Sequence, residues 1–317
     1  MDNTIKTAAV LYHKIDFDGI CSFAIASRSL ASSGYRVTPF PMSNCDTEID
    51  LESLSAYDRV VILDISLRPA AMKRLFDLSE KAREEGRDFL VVWIDHHKSS
   101  IEDSVLNGYS LMRGYREPSG KAACELAWEY FHDRVPVPSV VALLSAYDIF
   151  DKDRFPWKET VLPFQHGMRY RYGLDAEKFV ADFDLLADRK GAATMKAIME
   201  EGTVAYNYMK DSGTRGVEAW GFPVTVAGHH KGYCCLTSQF GSLAFENSAK
   251  AVDATVYVCV NRTGPLAYKV SMYGSEDNTL DLGGYMKLRY NGGGHFNAAG
   301  GTLTLKEFKR LLTKSQI

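Results

Sequence analysis

The sequence predicts an α/β protein whose N-terminal part is a parallel sheet with helices on both faces. Three short apolar runs, at residues 8–12, 60–63 and 89–94, are typical of strands that are buried on both sides. Helical patterns separate these runs over residues 1–150, and such alternation of strand and helix is typical of a parallel sheet. A second, smaller α/β unit is expected from residue 216 to the end of the chain.

Glycine and proline residues indicate where the first helices begin and end. Gly34 and Gly86 suit the positions that directly follow helices, and Pro69 suits a first helical turn. An acidic stretch at 46–52 is expected to be solvated surface. The predicted elements are strands at 7–12 and 36–40, a strand ending at Asp64, the strand at 89–94, and helices at 20–33 and 69–85.

The middle of the chain is predicted to be mainly helical. Ser119 is a candidate N-cap for a helix that runs to His132, and Pro138 precedes a helix at 140–150. Residues 165–172 mix basic and aromatic side chains, which could stack on bases and pair with phosphate or form an ordinary surface loop. Residues 176–209 are helical and charged, with an interruption near Gly191, and are expected to connect two domains.

The second unit carries a glycine-rich segment. Gly292, Gly293 and Gly294 are followed by His295, and such a run allows backbone N–H groups to approach a phosphate closely, although a tight turn could have the same sequence. The pair His229-His230 has no carboxylate nearby and is expected to be structural. The predicted elements are strands at 224–226, 254–260 and 266–272 and helices at 238–249, 281–289 and 305–315.

Metal-capable side chains follow each of the three apolar runs. Parallel strands would bring these residues to one edge of the sheet, where ligands bind in open α/β sheets. Aspartate and histidine offer the mixed oxygen and nitrogen donors that suit manganese and related ions, and clustered carboxylates repel one another unless cations neutralise them. A polar loop after a core strand remains an alternative for each position taken alone. The residues are His13, Asp16, Asp18, Asp64, Asp95, His96 and His97.

Composition restricts the function and the location. The net charge of −3, from 37 basic and 40 acidic residues, gives no general attraction for polyanions, so nucleic acid could bind only through local patches. The six cysteines show no C-x-x-C spacing, which favours a reducing cytoplasm. No signal peptide and no apolar stretch of membrane-spanning length is evident, so we expect no membrane partner.

Taken together, these motifs resemble the DHH family of phosphoesterases with a DHH-associated C-terminal domain. The resemblance rests on His13, the Asp16-Phe17-Asp18-Gly19 segment, Asp64, the Asp95-His96-His97 triplet, Asp148, and the Gly292–His295 segment with Ala298-Ala299-Gly300. It covers nearly the whole chain and is most similar to the nanoRNase branch, which degrades short oligoribonucleotides. It implies a DHH catalytic domain at 1–175, a helical connector at 176–215 and a DHH-associated substrate-binding domain at 216–317.

The resemblance also implies a role for each residue. Two divalent cations are expected, manganese before magnesium, with Asp64 bridging them. His13 and Asp16 would hold one cation, and Asp18, His96 and Asp148 the other. Asp95 would orient His96, His97 would face the substrate phosphate, and a water activated by both cations would attack phosphorus in line. Gly292, Gly293, Gly294 and His295 would bind the substrate without holding metal.

Two positions depart from the family pattern. His13 lies three residues before Asp16, where the family has two or four, and Tyr273 stands in a region where the family often has arginine. The expected substrates are short single-stranded oligonucleotides or dinucleotides, held between the two domains, and a homodimer is left open. The alternatives are a phosphatase of small compounds, such as 3′-phosphoadenosine 5′-phosphate, cyclic or linear dinucleotides or polyphosphate, and a nucleotide-binding sensor with a vestigial site.

Overall fold

The computed structural model describes residues 5–43, 49–236, 240–290 and 292–314. The chain forms two compact units, Met1–Ala205 and Tyr206–Ile317, and the division falls within one long helix. Asn291, and the part of the acidic stretch from 44 to 48, lie outside the described residues. Among the described residues, no helix is both long and apolar enough to cross a membrane.

The first unit contains a sheet of four parallel strands in the order β2-β1-β3-β4. A π-helical turn, Trp157–Val161, precedes α7. The elements are β1 (Lys6–His13), α1 (Phe17–Ser32), β2 (Tyr35–Met42), α2 (Leu51–Leu54), β3 (Arg59–Leu63), α3 (Pro69–Glu84), β4 (Leu90–Ile94), α4 (Lys98–Leu106), α5 (Ala123–Phe131), α6 (Ser139–Asp148), α7 (Leu162–Tyr172), α8 (Ala176–Ala187) and α9 (Ala192–Trp220).

Alternate residues of the strands enter two separate hydrophobic cores. In β1, Val10 packs with α1, α5 and α6 on one face, whereas Leu11 packs on the other face with α3. In β4, Ile94 and Trp93 divide between the two cores in the same way. The strands are therefore buried on both sides, which is why their sequences are continuously apolar. The predicted parallel sheet with helices on both faces is confirmed.

Two local predictions for the first unit are wrong. Ser119 does not cap a helix, because α5 begins at Ala123 and the carboxylate of Asp18 accepts hydrogen bonds from its first N–H groups. The basic and aromatic residues 165–172 form the helix α7 and not a loop, and Gln165, Met168 and Tyr172 on this helix are buried.

The second unit contains a mixed sheet of six strands in the order β5-β6-β7-β8-β10-β9, in which β6 and β7 are parallel and the other neighbours antiparallel. The smaller C-terminal α/β domain is confirmed. The predicted helix at 238–249 is wrong: its described part contains only the 3-10 turn Gly241–Ala244. The elements are β5 (Phe222–Val226), β6 (His230–Cys235), β7 (Val256–Arg262), β8 (Tyr268–Gly274), α10 (Leu282–Arg289), β9 (Gly293–His295), β10 (Ala298–Leu303) and α11 (Leu305–Lys314).

Candidate metal centre

Acidic and imidazole side chains meet at the carboxyl ends of three neighbouring strands of the first unit. His13 ends β1, Asp64 follows β3, and Asp95 follows β4. These strands are parallel and adjacent, so their ends share one edge of the sheet. The start of α1 and the end of α6 add further carboxylates. Three groups have potential ligand atoms within 4.8 Å of one another: His13, Asp16 and Asp64; Asp18, His96 and Asp148; and Asp64, His96 and His97.

The first group joins the end of β1 to the start of α1. His13 Nδ1 lies 2.9 Å from Asp16 Oδ2 and 3.4 Å from Asp64 Oδ2. Asp16 is the N-cap of α1, and its Oδ1 accepts a hydrogen bond from the N–H of Gly19 at 3.1 Å. A Cβ at Gly19 would lie 2.0 Å from the carbonyl oxygen of His13, so only glycine lets the helix begin this close to the strand. The unusual spacing of three residues therefore still brings His13 and Asp16 together.

The second group is centred on His96. Its Nε2 lies 3.2 Å from Asp148 Oδ2 and 3.6 Å from Asp18 Oδ2. Asp18 is held in place by α5, because its two oxygens accept hydrogen bonds from the N–H groups of Ala123 at 2.9 Å and Cys124 at 2.7 Å. The N-terminus of a helix carries partial positive charge, so it stabilises a buried carboxylate at this position.

Asp64 lies between the two groups. Its Oδ1 is 3.4 Å from His96 Nε2 and 3.8 Å from His97 Nδ1, while its Oδ2 faces His13. The side chain is 2% exposed, and the backbone has a φ of 57°, a left-handed conformation that aspartate tolerates better than most residues. Asp64 therefore contacts both groups of potential ligands.

Asp95 is bonded mainly to its own neighbours. Its Oδ1 accepts hydrogen bonds from the backbone N–H groups of His96 at 2.8 Å and His97 at 3.1 Å, and lies 2.7 Å from the ring Nδ1 of His97. The sequence led us to expect that Asp95 orients the ring of His96; instead, its ring partner is His97. The reason is local geometry, because β4 ends here and the chain turns into α4 with His97 as the N-cap.

The charges of this cluster depend on one another. Burial lowers the pKa of His13, His96 and His97, but the surrounding carboxylates outweigh burial and raise these pKa values to about 10, 10 and 9. Burial, together with repulsion from neighbouring carboxylates, raises the pKa of Asp18 to about 8 and the pKa of Asp148 to about 7. Without cations, protons are thus needed to keep these groups together.

Unsatisfied polar atoms show that the cluster fits divalent cations. Asp64 Oδ1, Asp95 Oδ2 and His13 Nδ1 are buried and make no hydrogen bond of good geometry within the described part of the chain. Buried polar atoms without partners are costly unless another group satisfies them. The donors are aspartate oxygens and imidazole nitrogens, a combination that suits manganese and similar ions. The residues present therefore fit a metal centre.

The sequence of the first unit matches a known family. Residues 7–147 match the model of the DHH family, N-terminal domain. The match covers 141 of the 317 residues, all of them in the first unit. The matched range includes every residue of the three ligand groups except Asp148, which follows it directly. No curated protein is significantly similar to the chain in sequence.

Solved structures share the fold at low sequence identity. The DHH domain of a protein described as a member of a family of ribosomal proteins has a TM-score of 0.58 and 15% identity, covering 97% of this chain and 85% of its own. RecJ from Thermus thermophilus, solved in complex with Mn²⁺, has a TM-score of 0.52 and 17% identity, covering 98% of this chain and 51% of its own. At these identities the comparisons establish the fold alone.

The glycine-rich segment of the second unit forms a hairpin. The strand β9 runs from Gly293 to His295 and pairs with β10. Packing accounts for two of the glycines: a Cβ would lie 2.0 Å from the Gly300 oxygen at Gly292, and 2.4 Å from the Ala298 oxygen at Gly294, where φ is 142°. At Gly293, no atom lies within 4 Å of such a Cβ. Gly293 is thus the glycine of this run that packing does not explain.

One ion pair beside the candidate metal centre was not anticipated from the sequence. Arg154 donates two hydrogen bonds to the buried Glu125, at 2.6 and 3.0 Å. Glu125 directly follows Cys124, whose N–H bonds to Asp18. Arg154 lies in the segment that follows Asp148. The signal in the sequence was a glutamate within an apolar helix, since a buried carboxylate requires a partner. The pair thus links α5 to the segment that follows α6.

The contact of Asp95 with His97 predicts the effect of Asp95→Asn. The substitution keeps the side-chain shape but weakens the bond that orients the His97 ring, so kcat/KM should fall by about 10- to 100-fold, while Mn²⁺ affinity should be retained. Titration with Mn²⁺ and a rate measurement test this. Asp103→Asn, at an exposed position on α4, is the matched control, and an effect no larger than in that control would contradict a role for Asp95.

Proposed function

We propose that this protein is a metal-dependent phosphoesterase that hydrolyses phosphodiester bonds in short oligonucleotides. The observation that carries the proposal is the presence, in a DHH-family domain, of three overlapping ligand groups in which Asp64 is shared. The RecJ structure of similar fold was solved with Mn²⁺, which supports the same class of cation here. The complete ligand set argues against a sensor with a vestigial site.

Each residue has a distinct task in this proposal. His13 and Asp16 would hold one cation, His96, with Asp18 and Asp148, would hold a second, and Asp64 contacts both groups. Cations held there would supply activation of water and neutralisation of charge on the phosphate. The ring of His97, held by Asp95 and 35% exposed, contacts the substrate phosphate. The imidazole donors favour manganese over magnesium.

The second unit is proposed to bind the substrate. The open space beside Gly293 and the side chain of His295, both on the exposed strand β9, offer room and a ring donor for a phosphate away from the reacting bond. Gly292 and Gly294 shape the hairpin that presents them. This assignment is the reason for preferring oligonucleotides to polyphosphate, because the glycine segment accompanies nucleic-acid activities in the family that the sequence resembles.

A substrate panel tests the proposed function. With Mn²⁺, a dinucleotide and a single-stranded pentanucleotide should be hydrolysed faster than a duplex of about 20 base pairs, because a net charge of −3 provides no attraction for a long polyanion. The measurement is kcat/KM for each substrate at an ionic strength of about 0.15 M. The same panel contains a cyclic dinucleotide, 3′-phosphoadenosine 5′-phosphate and polyphosphate.

The other outcomes of the panel are equally informative. Turnover of 3′-phosphoadenosine 5′-phosphate or polyphosphate alone would establish the phosphatase alternative. Binding of nucleotides without turnover of any compound would establish the sensor. Equal rates on the dinucleotide and the long duplex would contradict the preference for short substrates. Size-exclusion chromatography of the same sample tests whether the protein is a homodimer.

A further inference from the structure

The C-terminus of α6, next to the metal centre, has an unusual residue. The N–H of Asp151 donates to the oxygen of Ala146 at 2.9 Å, and the N–H of Phe150 donates to the oxygen of Tyr147 at 3.3 Å. These two bonds are the Schellman motif, in which the residue at the position of Phe150 is left-handed and usually glycine. Phe150 has a φ of 57°. A bulky aromatic residue therefore occupies a position that favours glycine.

Other helix ends in the same chain follow the rule. Gly34 after α1, Gly86 after α3 and Gly108 after α4 each occupy the corresponding position, with φ values of 84°, 69° and 73°. Burial does not compensate for the strain at Phe150, because its side chain remains half exposed, at 52%. Strained residues of this kind concentrate at functional sites. The exception at α6 therefore calls for a functional explanation.

Phe150 belongs to a cluster of three nearly parallel rings. The centroid of its ring lies 5.8 Å from that of Trp157 and 6.4 Å from that of Tyr147, with interplanar angles of 26° and 23°. Trp157 and Tyr147 are 6.0 Å apart at 4°. Trp157 opens the π-helical turn before α7. Three rings with a common orientation form one aromatic surface, of which Phe150 is the exposed member.

This aromatic surface adjoins the metal centre. Asp148, whose Oδ2 lies 3.2 Å from His96 Nε2, is the neighbour of Tyr147 and precedes Phe150 by two residues. Phe150, the exposed ring of this surface, therefore lies two residues along the chain from a carboxylate that faces His96.

We propose that Phe150 stacks on a nucleobase of the substrate whose phosphate is bound at the metal centre. The inference rests on the proposed phosphoesterase function and narrows its substrates to those that carry a base. Every base has a flat π-face, so stacking on an aromatic side chain binds it with little sequence preference. Polyphosphate, which has no base, gains nothing from this surface.

Phe150→Gly separates a binding role from a structural one. Glycine suits the left-handed backbone, so the melting temperature should stay equal or rise, while affinity for a base-containing dinucleotide should fall about tenfold to a hundredfold. Phe150→Trp retains the ring and should retain affinity. Tyr208→Ala, which removes an exposed ring of α9, is the matched control and should change neither property.

The test uses the Mn²⁺-loaded protein with a dinucleotide that carries 2-aminopurine and a non-hydrolysable methylene phosphonate link. Stacking quenches the fluorescence of 2-aminopurine, so wild type and Phe150→Trp should quench it and Phe150→Gly should not. An abasic analogue should bind all variants equally. Equal quenching by Phe150→Gly and wild type, absence of quenching by wild type, or a lower melting temperature of Phe150→Gly would overturn the proposal.

The same samples test the stacking role of Phe150 and the phosphoesterase function separately. Hydrolysis of natural dinucleotides without quenching that depends on Phe150 would leave the phosphoesterase function standing and remove the base-stacking role. If quenching depends on Phe150 but no oligonucleotide is hydrolysed, the base-stacking role stands and the proposed phosphoesterase function is wrong.

Discussion

Asp64→Asn should reduce phosphodiesterase activity by roughly a hundredfold to several thousandfold. Asp64 is buried and faces His13 at 3.4 Å and His96 at 3.4 Å, so its charge serves both ligand groups. Loss of one charge from a buried, paired set costs about 3–5 kcal/mol, and each 1.36 kcal/mol in the barrier is about a tenfold change in rate. The measurement is kcat/KM on a dinucleotide with saturating Mn²⁺.

Asparagine is the right replacement because it isolates the charge. Asp64 has a φ of 57°, and asparagine tolerates this left-handed conformation as well as aspartate does, whereas alanine would add backbone strain. Asp77→Asn, which removes an exposed carboxylate of α3 paired with Lys73, is the control and should keep full activity. A similar small effect of both substitutions would show that Asp64 does not hold the cations.

The convergence of these side chains could be predicted because buried parallel strands leave a clear signal. An apolar run that ends in Asp or His identifies both the strand and the edge of the sheet at which the polar side chain emerges. Asp64 and the Asp95-His96-His97 triplet directly follow such runs. Parallel pairing then brings the ends together whatever the details of the helices between them, so the ligand groups can be proposed from the sequence alone.

Contacts between distant segments were not predictable in the same way. The surface loop, one of two alternatives for residues 165–172, is wrong because Gly167 lies inside α7, where a Cβ would come within 1.9 Å of the Ile198 oxygen on α9. Gly202 on α9 makes the same kind of close approach to Pro163. Glycine here marks two helices in close contact, and a single sequence does not distinguish that use from a turn.

The strands β6 and β10 were missed for a related reason. Each contains glycine, at Gly232 in one and at Gly300 and Gly301 in the other, and glycine lowers the propensity for strand. Their pairing with β7 and β8 stabilises them within the sheet. Gly301 must also be small, because a Cβ there would lie 2.9 Å from Tyr290 beside α10. Neighbours in the fold, and not local preference, decide these segments.

Removal of divalent cations should abolish the activity and also destabilise the first unit. Six ligand side chains from β1, α1, β3, β4 and α6 converge on the centre, and without cations their carboxylates repel one another. Dialysis against EDTA should therefore remove hydrolysis, and Mn²⁺ should restore it to a higher rate than Mg²⁺, because imidazole donors suit manganese better.

The same titration provides a readout that is independent of activity. A cation present at about 100 times its dissociation constant stabilises the folded state by about 2.7 kcal/mol, which should raise the melting temperature by roughly 5–10 °C. Asp64→Asn should show a much smaller shift, since it removes the charge that both ligand groups share. Hydrolysis that persists after exhaustive chelation would exclude catalysis by cations. An equal thermal shift in Asp64→Asn would mean that the cations bind elsewhere, and His13, Asp16, Asp18, His96 and Asp148 would then need another reason to converge on this carboxylate.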